Sequence, residues 1–66
     1  MKAQEIHEMT KDELATKLAD LKEELFLLRF RHATGQLDNP NVITVTRKDI
    51  ARVKTEIRAR ELKVNA

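Results

Sequence analysis

The sequence predicts an all-α fold, a long antiparallel two-helix hairpin with a short N-terminal helix. Two apolar series with helical spacing are separated by residues 34–40, which hold the one glycine and the one proline of the 66 residues. Gly35 suits the left-handed position after a helix, and Asn39 and Pro40 suit the start of the next one. The end of one helix and the start of the next, so close together, predict two helices that fold back on each other.

The size and composition of the chain restrict which folds and which cellular locations are possible. A chain of 66 residues encloses only a small core, and it has no cysteine for a disulfide. Charged residues make up 36% and aromatic residues 3%, which is typical of long solvated helices rather than of a sandwich or barrel. No apolar run approaches the roughly 20 residues that cross a bilayer, and no signal peptide is evident. We therefore expect one domain over residues 1–66, intracellular and without a membrane partner.

The first two helices are predicted from spacing and capping. A short helix over about residues 2–8 is expected because apolar residues recur there at every third position. Thr10 and Glu13 form a capping box, in which each side chain accepts a hydrogen bond from the other's backbone N–H, so a long helix is predicted over about 11–34. Its inner face is a seam with alternating steps of four and three, made of Leu14, Leu18, Leu21, Leu25 and Leu28.

The second long helix is predicted over about residues 40–62, after a turn at 35–39. Its seam repeats every seven residues at Ile43, Ile50, Ile57 and Val64, with Thr46, Val53 and Arg60 between them. The β-branched run at 42–46 favours a strand by local preference, but a lone strand has nothing to pair with. We therefore interpret this run as the first turns of the helix.

Three apolar side chains near the end of the first long helix lie off its seam: Phe26, Leu27 and Phe30. On a helix that turns by about 100° per residue, they point away from the leucines. One interpretation is that they cover the N-terminal segment or are tolerated on the surface. The interpretation that we favour is that they are buried against another molecule, because exposed apolar patches usually mark contacts.

Charge is unevenly distributed along the chain. Residues 1–28 carry four lysines and seven acids, whereas residues 29–66 carry nine Lys or Arg and four acids. On the second long helix the basic residues form two stripes, Arg47, Lys54 and Arg58 beside the seam and Lys48 and Arg52 on the outer face. Bases on one side of a helix suit contact with phosphates, while a solvated helix with internal ion pairs is the alternative.

The sequence does not bring together side chains for catalysis or metal binding. His7 and His32 have no nucleophile or further ligands at a suitable spacing, so we expect at most incidental polar contacts from them. A two-helix hairpin also lacks a pocket that excludes water. We expect no enzymatic activity, no cofactor and no bound metal.

Specific residues resemble a known family, the bacterial-type twenty-ninth protein of the large ribosomal subunit (the uL29 or L29 family). The resemblance is carried by residues 26–37, by Asn39-Pro40 and by residues 47–55, and it extends to the first residues and the capping box. It covers essentially the whole chain. The turn Gly-Gln-Leu at its fixed distance from Ile-Ala-Arg-Val-Lys-Thr is the specific part of the match, because a leucine seam alone is common.

The resemblance implies a structural constituent of the large ribosomal subunit in the cytoplasm. It implies binding to ribosomal RNA, not DNA, near the polypeptide exit tunnel, beside ribosomal protein uL23 (L23) on a rim where nascent-chain factors dock. Matched position by position, the implied RNA-binding residues are Lys2, Arg29, Arg31, Gln36, Arg47, Lys48, Arg52 and Lys54. Two positions depart from the family pattern. Thr44 replaces a residue that is often basic and Thr46 one that is often valine, so we expect one phosphate contact fewer and looser packing near the turn.

A coiled-coil protein–protein adaptor is the alternative function. In that interpretation the two seams pair between separate chains, and the charge bias selects the partner. The break between Gly35 and Pro40 and the lack of a continuous heptad repeat count against it.

Overall fold

The computed structural model describes the backbone of residues 2–65 and the side chains of residues 2–63. This part of the chain forms three helices and no strand, with α1 at Ala3–Glu8, α2 at Lys11–Ala33 and α3 at Asn41–Asn65. The all-α prediction is confirmed, and the β-branched run lies in α3. That helix begins one residue after its predicted start and continues past its predicted end.

The two long helices lie side by side. α2 has 23 residues and α3 has 25, so each is about 35 Å long at about 1.5 Å per residue. The longest dimension of the chain is 47 Å, much less than two such helices placed end to end. The last turns of α3 also contact α1, because Arg60 donates a hydrogen bond to the Ile6 carbonyl. The hairpin is therefore antiparallel, as predicted.

The end of α2 is a Schellman motif, in which a left-handed residue closes the helix. Gly35 has φ 77°, its N–H donates to the His32 carbonyl at 3.2 Å, and the Gln36 N–H donates to the Arg31 carbonyl at 2.8 Å. These two bonds satisfy carbonyls that have no partner within the helix. A side chain at position 35 would cost about 1–2 kcal/mol from its backbone conformation alone.

The starts of the long helices are capped as predicted. At α2, the Glu13 N–H donates to Thr10 Oγ1 at 3.2 Å, and the Thr10 N–H donates to Glu13 Oε1 at 3.5 Å. At α3, Asn39 Oδ1 accepts from the Asn41 N–H at 3.0 Å. Pro40 lies immediately before the first helical residue, where its missing N–H leaves no helical bond unmade. Local sequence therefore determines where the hairpin folds back.

One small core joins the three helices. Its buried side chains are Ile6 from α1, Leu14 and Leu21 from α2, and Ile50 and Val53 from α3. The partly buried side chains that pack against it are Met9, Leu18, Leu25 and Ile57. The two predicted seams therefore face each other, although Leu28 and Ile43, nearer the turn, are only half-buried. The side chain of Val64, predicted for the same seam, lies outside the described residues.

Thr46 places a hydroxyl in the seam. The residue is buried, and its Oγ1 donates to the Val42 carbonyl at 2.8 Å. A buried hydroxyl without a partner is destabilising, whereas one that bonds back to its own helix is satisfied. The departure from valine at this position therefore leaves no unmet hydrogen bond.

A polar network holds α1 against α3. Glu56 Oε1 accepts from Arg60 Nε at 3.0 Å, and Glu56 Oε2 lies 3.0 Å from His7 Nδ1. Arg60 Nη2 also donates to the carbonyls of His7 and Ile6, at 3.1 and 3.4 Å. Both carbonyls belong to the last turn of α1, where helical carbonyls need outside donors. The expectation that His7 makes at most an incidental contact is thus corrected, because it joins two helices.

The network also affects the ionisation of Glu56. The hydrogen bond from Arg60 lowers the pKa of the Glu56 carboxyl below its ordinary value, the nearby His7 acts in the same direction, and partial burial opposes both. A lowered pKa means that folding favours the carboxylate form. Its contribution to stability is therefore complete above the ordinary glutamate pKa and is lost as pH falls through the lowered value.

Replacing Leu14 with alanine should destabilise the hairpin strongly. Leu14 is 0% exposed, and truncating a buried leucine costs about 2–5 kcal/mol, a large share of what so small a core supplies. Urea unfolding followed by circular dichroism measures the loss. Leu27→Ala on the same helix is the matched control, because Leu27 is 46% exposed and we expect a change within about 0.5 kcal/mol. Equal losses in both variants would contradict the assignment of the seam.

Acid should release α1 through Glu56. The Cα NMR shifts of Ala3, Gln4 and Ile6, which report helix content and belong to residues without an ionisable side chain, should stay helical as pH falls to about 4.3, the ordinary glutamate pKa, and then move towards unstructured values at lower pH as Glu56 is protonated. In Glu56→Gln these signals should be displaced already at neutral pH and lose this acid transition. A transition of the same size in both proteins would assign it to other carboxylates.

Candidate nucleic-acid interface

The eight side chains that the resemblance implies for RNA contact are all exposed. They are Lys2 before α1, Arg29 and Arg31 in α2, Gln36 in the turn, and Arg47, Lys48, Arg52 and Lys54 in α3. The structure gathers most of them at three places, which are a groove between α1 and α3, a depression on α3, and the turn end of the hairpin.

The groove between α1 and α3 has a volume of about 620 Å³. We refer to it as the α1–α3 groove, and it is lined by Lys2, Ala3, Ile6, His7, Ala51, Arg52, Thr55 and Glu56. Lys2 and Arg52 are far apart in sequence but line the same groove. Between them lie small side chains, and the Thr55 hydroxyl donates back to the Ala51 carbonyl at 2.8 Å. A chain of phosphates could approach the backbone of α3 closely here.

A second depression, of about 370 Å³, continues along α3 towards the turn. It is lined by Thr44, Arg47, Lys48 and Ala51. Ala51 lines both depressions, so the two adjoin along the outer face of the helix. Thr44, which departs from the family pattern, lies in the second depression. A longer basic side chain at this position would add a third cation there.

The α1–α3 groove also contains one carboxylate, that of Glu56. Its oxygens are engaged by the Arg60 guanidinium and by His7, each at 3.0 Å. The Arg60 guanidinium offsets its negative charge in part, so the cations of the groove are not simply cancelled by it.

Arg31 and Gln36 are brought together at the turn end by the Schellman motif, in which the Gln36 N–H donates to the Arg31 carbonyl at 2.8 Å. Arg29 and Lys54 are exposed but line neither depression. The roles of these four residues in RNA contact stay predictions.

The apolar side chains off the α2 seam are exposed. Phe26 is 70% exposed, Phe30 58% and Leu27 46%. They therefore do not cover the N-terminal segment, which lies against α3. Val42 and Val45, in the first turns of α3, are also exposed at the same end of the hairpin. Both residues lie off the seven-residue repeat of the seam, which is the signal in the sequence for their exposure.

Nowhere along residues 2–65 do three or more His, Asp or Glu side chains gather in a way that could hold a metal ion. Nor does this part of the chain contain a helix with the length and apolar character needed to cross a membrane.

Comparison with known proteins agrees with the resemblance read from the sequence. The sequence model of the Ribosomal L29 protein family matches residues 4–60. The large ribosomal subunit protein uL29 of Natranaerobius thermophilus is 62% identical over 65 residues, which cover 98% of this chain and 100% of that protein. The uL29 proteins of a Thermoanaerobacter species and a Geobacillus species are 64% and 59% identical, over 94% and 100% of this chain and 90% and 97% of their own lengths. This chain therefore belongs to the ribosomal L29 protein family.

Proposed function

We propose that this chain is a non-enzymatic structural constituent of the large ribosomal subunit that binds large-subunit ribosomal RNA near the polypeptide exit tunnel. The observation that carries the proposal is the arrangement of four cations around two adjoining depressions on α3. Lys2 and Arg52 line one depression, and Arg47 and Lys48 line the other. Membership of the ribosomal L29 protein family supports the proposal that the polyanion is RNA.

The mechanism is neutralisation of phosphate charge. Each ammonium or guanidinium group that reaches a phosphate releases condensed counterions, which makes binding strong at low salt and weaker as salt rises. Double-stranded RNA hides its base edges in a deep, narrow groove, so recognition depends on phosphates, sugars and shape more than on base sequence. The short side chain of Ala51, which lines both depressions, lets the RNA backbone approach the helix.

The exposed apolar residues Phe26, Leu27 and Phe30 are proposed as the contact with a neighbouring ribosomal protein, uL23. They lie in the second half of α2, and Phe26 is 70% exposed. Burying such side chains favours an association, and roughly 1.5–3 kcal/mol each is an upper bound on the gain. On this proposal the protein works in the cytoplasm, bound to the ribosome, and the remaining apolar surface at the turn end contributes to the rim where nascent-chain factors dock.

The alternative, a coiled-coil adaptor, needs seams that are available to other chains. Here Leu14 and Leu21 pack with Ile50 and Val53 inside one hairpin, so both seams are already occupied. Sedimentation of the tagged protein from a cell lysate separates the two functions. Migration with the large subunit supports the proposal, whereas slow sedimentation in the same lysate supports the adaptor.

Replacing Arg52 with alanine should weaken binding to deproteinised large-subunit ribosomal RNA and flatten its salt dependence. The loss of one phosphate contact reduces the slope of log K against log salt by about 0.7–0.9. Filter binding or fluorescence anisotropy over a range of salt concentrations measures both quantities. Lys22→Ala is the matched control, because Lys22 is an exposed lysine of α2 outside the implied set. An unchanged slope in Arg52→Ala would count against this assignment, as would equal changes in both variants.

The double variant Phe26→Ala, Phe30→Ala should reduce assembly into large subunits without reducing the stability of the folded chain. Both side chains are mostly exposed, so the free energy of unfolding should change by no more than about 0.5 kcal/mol per site. Incorporation of the tagged chain into large subunits, in competition with the untagged chain, should fall. Leu62→Ala, which alters an exposed leucine on α3, should leave incorporation unchanged. Normal incorporation of the double variant would remove the case for a protein contact there.

A further inference from the structure

The N-terminal helix α1 is too short to hold itself in place. It has six residues, whereas isolated helices below about 12–15 residues are marginal in water. Its position therefore depends on contacts with the rest of the chain. The structure shows two such contacts, the burial of Ile6 in the core and the polar network of His7, Glu56 and Arg60.

The position of α1 determines whether the α1–α3 groove exists. Lys2 and Ala3 line the groove from the α1 side, while Ala51, Arg52 and Thr55 line it from α3. If α1 were not packed against α3, the α3 residues would lie on an open helix surface instead of in a groove. Lys2 and Arg52 would then no longer line the same site. The network therefore determines whether two cations act on the same stretch of a polyanion.

We infer that Glu56 and Arg60 are positioning residues for RNA binding, because they hold α1 where Lys2 completes a groove for the sugar–phosphate backbone. The inference rests on the proposed function and identifies which groups make one of its contacts. Charge complementarity identifies the occupant, since a cation stands on each side of the groove and its one carboxylate is engaged by Arg60 and His7.

Two linked equilibria follow from this arrangement. If α1 must be docked for Lys2 to reach a phosphate, then docking strengthens RNA binding, and bound RNA strengthens docking by the same factor. This coupling reverses the effect that removing the Glu56 carboxylate is expected to have on RNA binding. By charge alone, removal of a carboxylate from a phosphate-binding groove strengthens RNA binding. By coupling, the same removal weakens it, because α1 loses its anchor.

The test compares Glu56→Gln with the unsubstituted chain, each with and without Lys2→Ala, in binding to deproteinised large-subunit ribosomal RNA. Lys2→Ala should weaken binding about threefold in the unsubstituted chain, the effect of one exposed ion pair. Glu56→Gln alone should weaken it to a similar extent although it removes a negative charge. Lys2→Ala should then cost nothing more in the Glu56→Gln background. Amide NMR signals should change in α1 and around position 56, and the rest of the hairpin should keep its signals.

Three further variants make this double-mutant cycle specific. Arg47→Ala alters a cation that α1 does not position, so its effect should be the same in both backgrounds. Arg60→Lys keeps the charge but loses the planar fork that reaches two carbonyls and the carboxylate, so it should weaken RNA binding as Glu56→Gln does. Glu61→Gln, an exposed acid of the same helix, should not weaken binding.

The outcomes separate this inference from the proposed function. Stronger or unchanged binding in Glu56→Gln, or an undiminished loss from Lys2→Ala in that background, overturns the positioning role and leaves RNA binding intact. Failure of the unsubstituted chain to bind ribosomal RNA in a salt-dependent way overturns the proposed function, and this inference with it.

Discussion

The packing of the α2 seam on the α3 seam is the contact on which the rest of the structure depends. Leu14 and Val53 are fully buried, and the core that they share includes Ile6 of α1. A core this small leaves little free energy in excess of the conformational entropy lost on folding. The other features, such as the docked α1 and the exposed cations of α3, are all positioned by this hairpin, whose free energy of unfolding is small.

The packing is uneven along the hairpin. The buried residues Leu14 and Leu21 lie in the half of α2 nearer its start, whereas Leu28, near the turn, is half-buried. The same turn half carries Phe26 and Phe30 on its outer surface. The protein therefore has its largest apolar side chains where its own core is thinnest, an arrangement suited to a chain that is completed by its neighbours.

Local signals in the sequence predicted the hairpin well. Three local patterns carried the prediction: the capping box at Thr10, the left-handed Gly35 and the two seams. Each depends on residues within a few helical turns of one another, so each can be recognised from the sequence alone. The contact between His7 and Glu56 was not predicted, because it joins residues separated by most of the chain and periodicity does not identify partners among exposed charges. The groove shared by Lys2 and Arg52 was missed for the same reason, since it exists only once α1 has docked.

The distribution of the core also bears on how the chain folds. Leu14 lies near the open end of the hairpin and Val53 at the middle of α3, and most of the sequence separates them, while the apolar seam residues nearest the turn, Leu28 and Ile43, are only half-buried. Zipping from the turn therefore brings little stabilisation in its first steps, and the main gain comes only after a long loop has closed. A surface that holds the two arms together near Gly35 would shorten that search. On the proposed contact through Phe26 and Phe30, the surface that receives the chain would also act as a template for its folding.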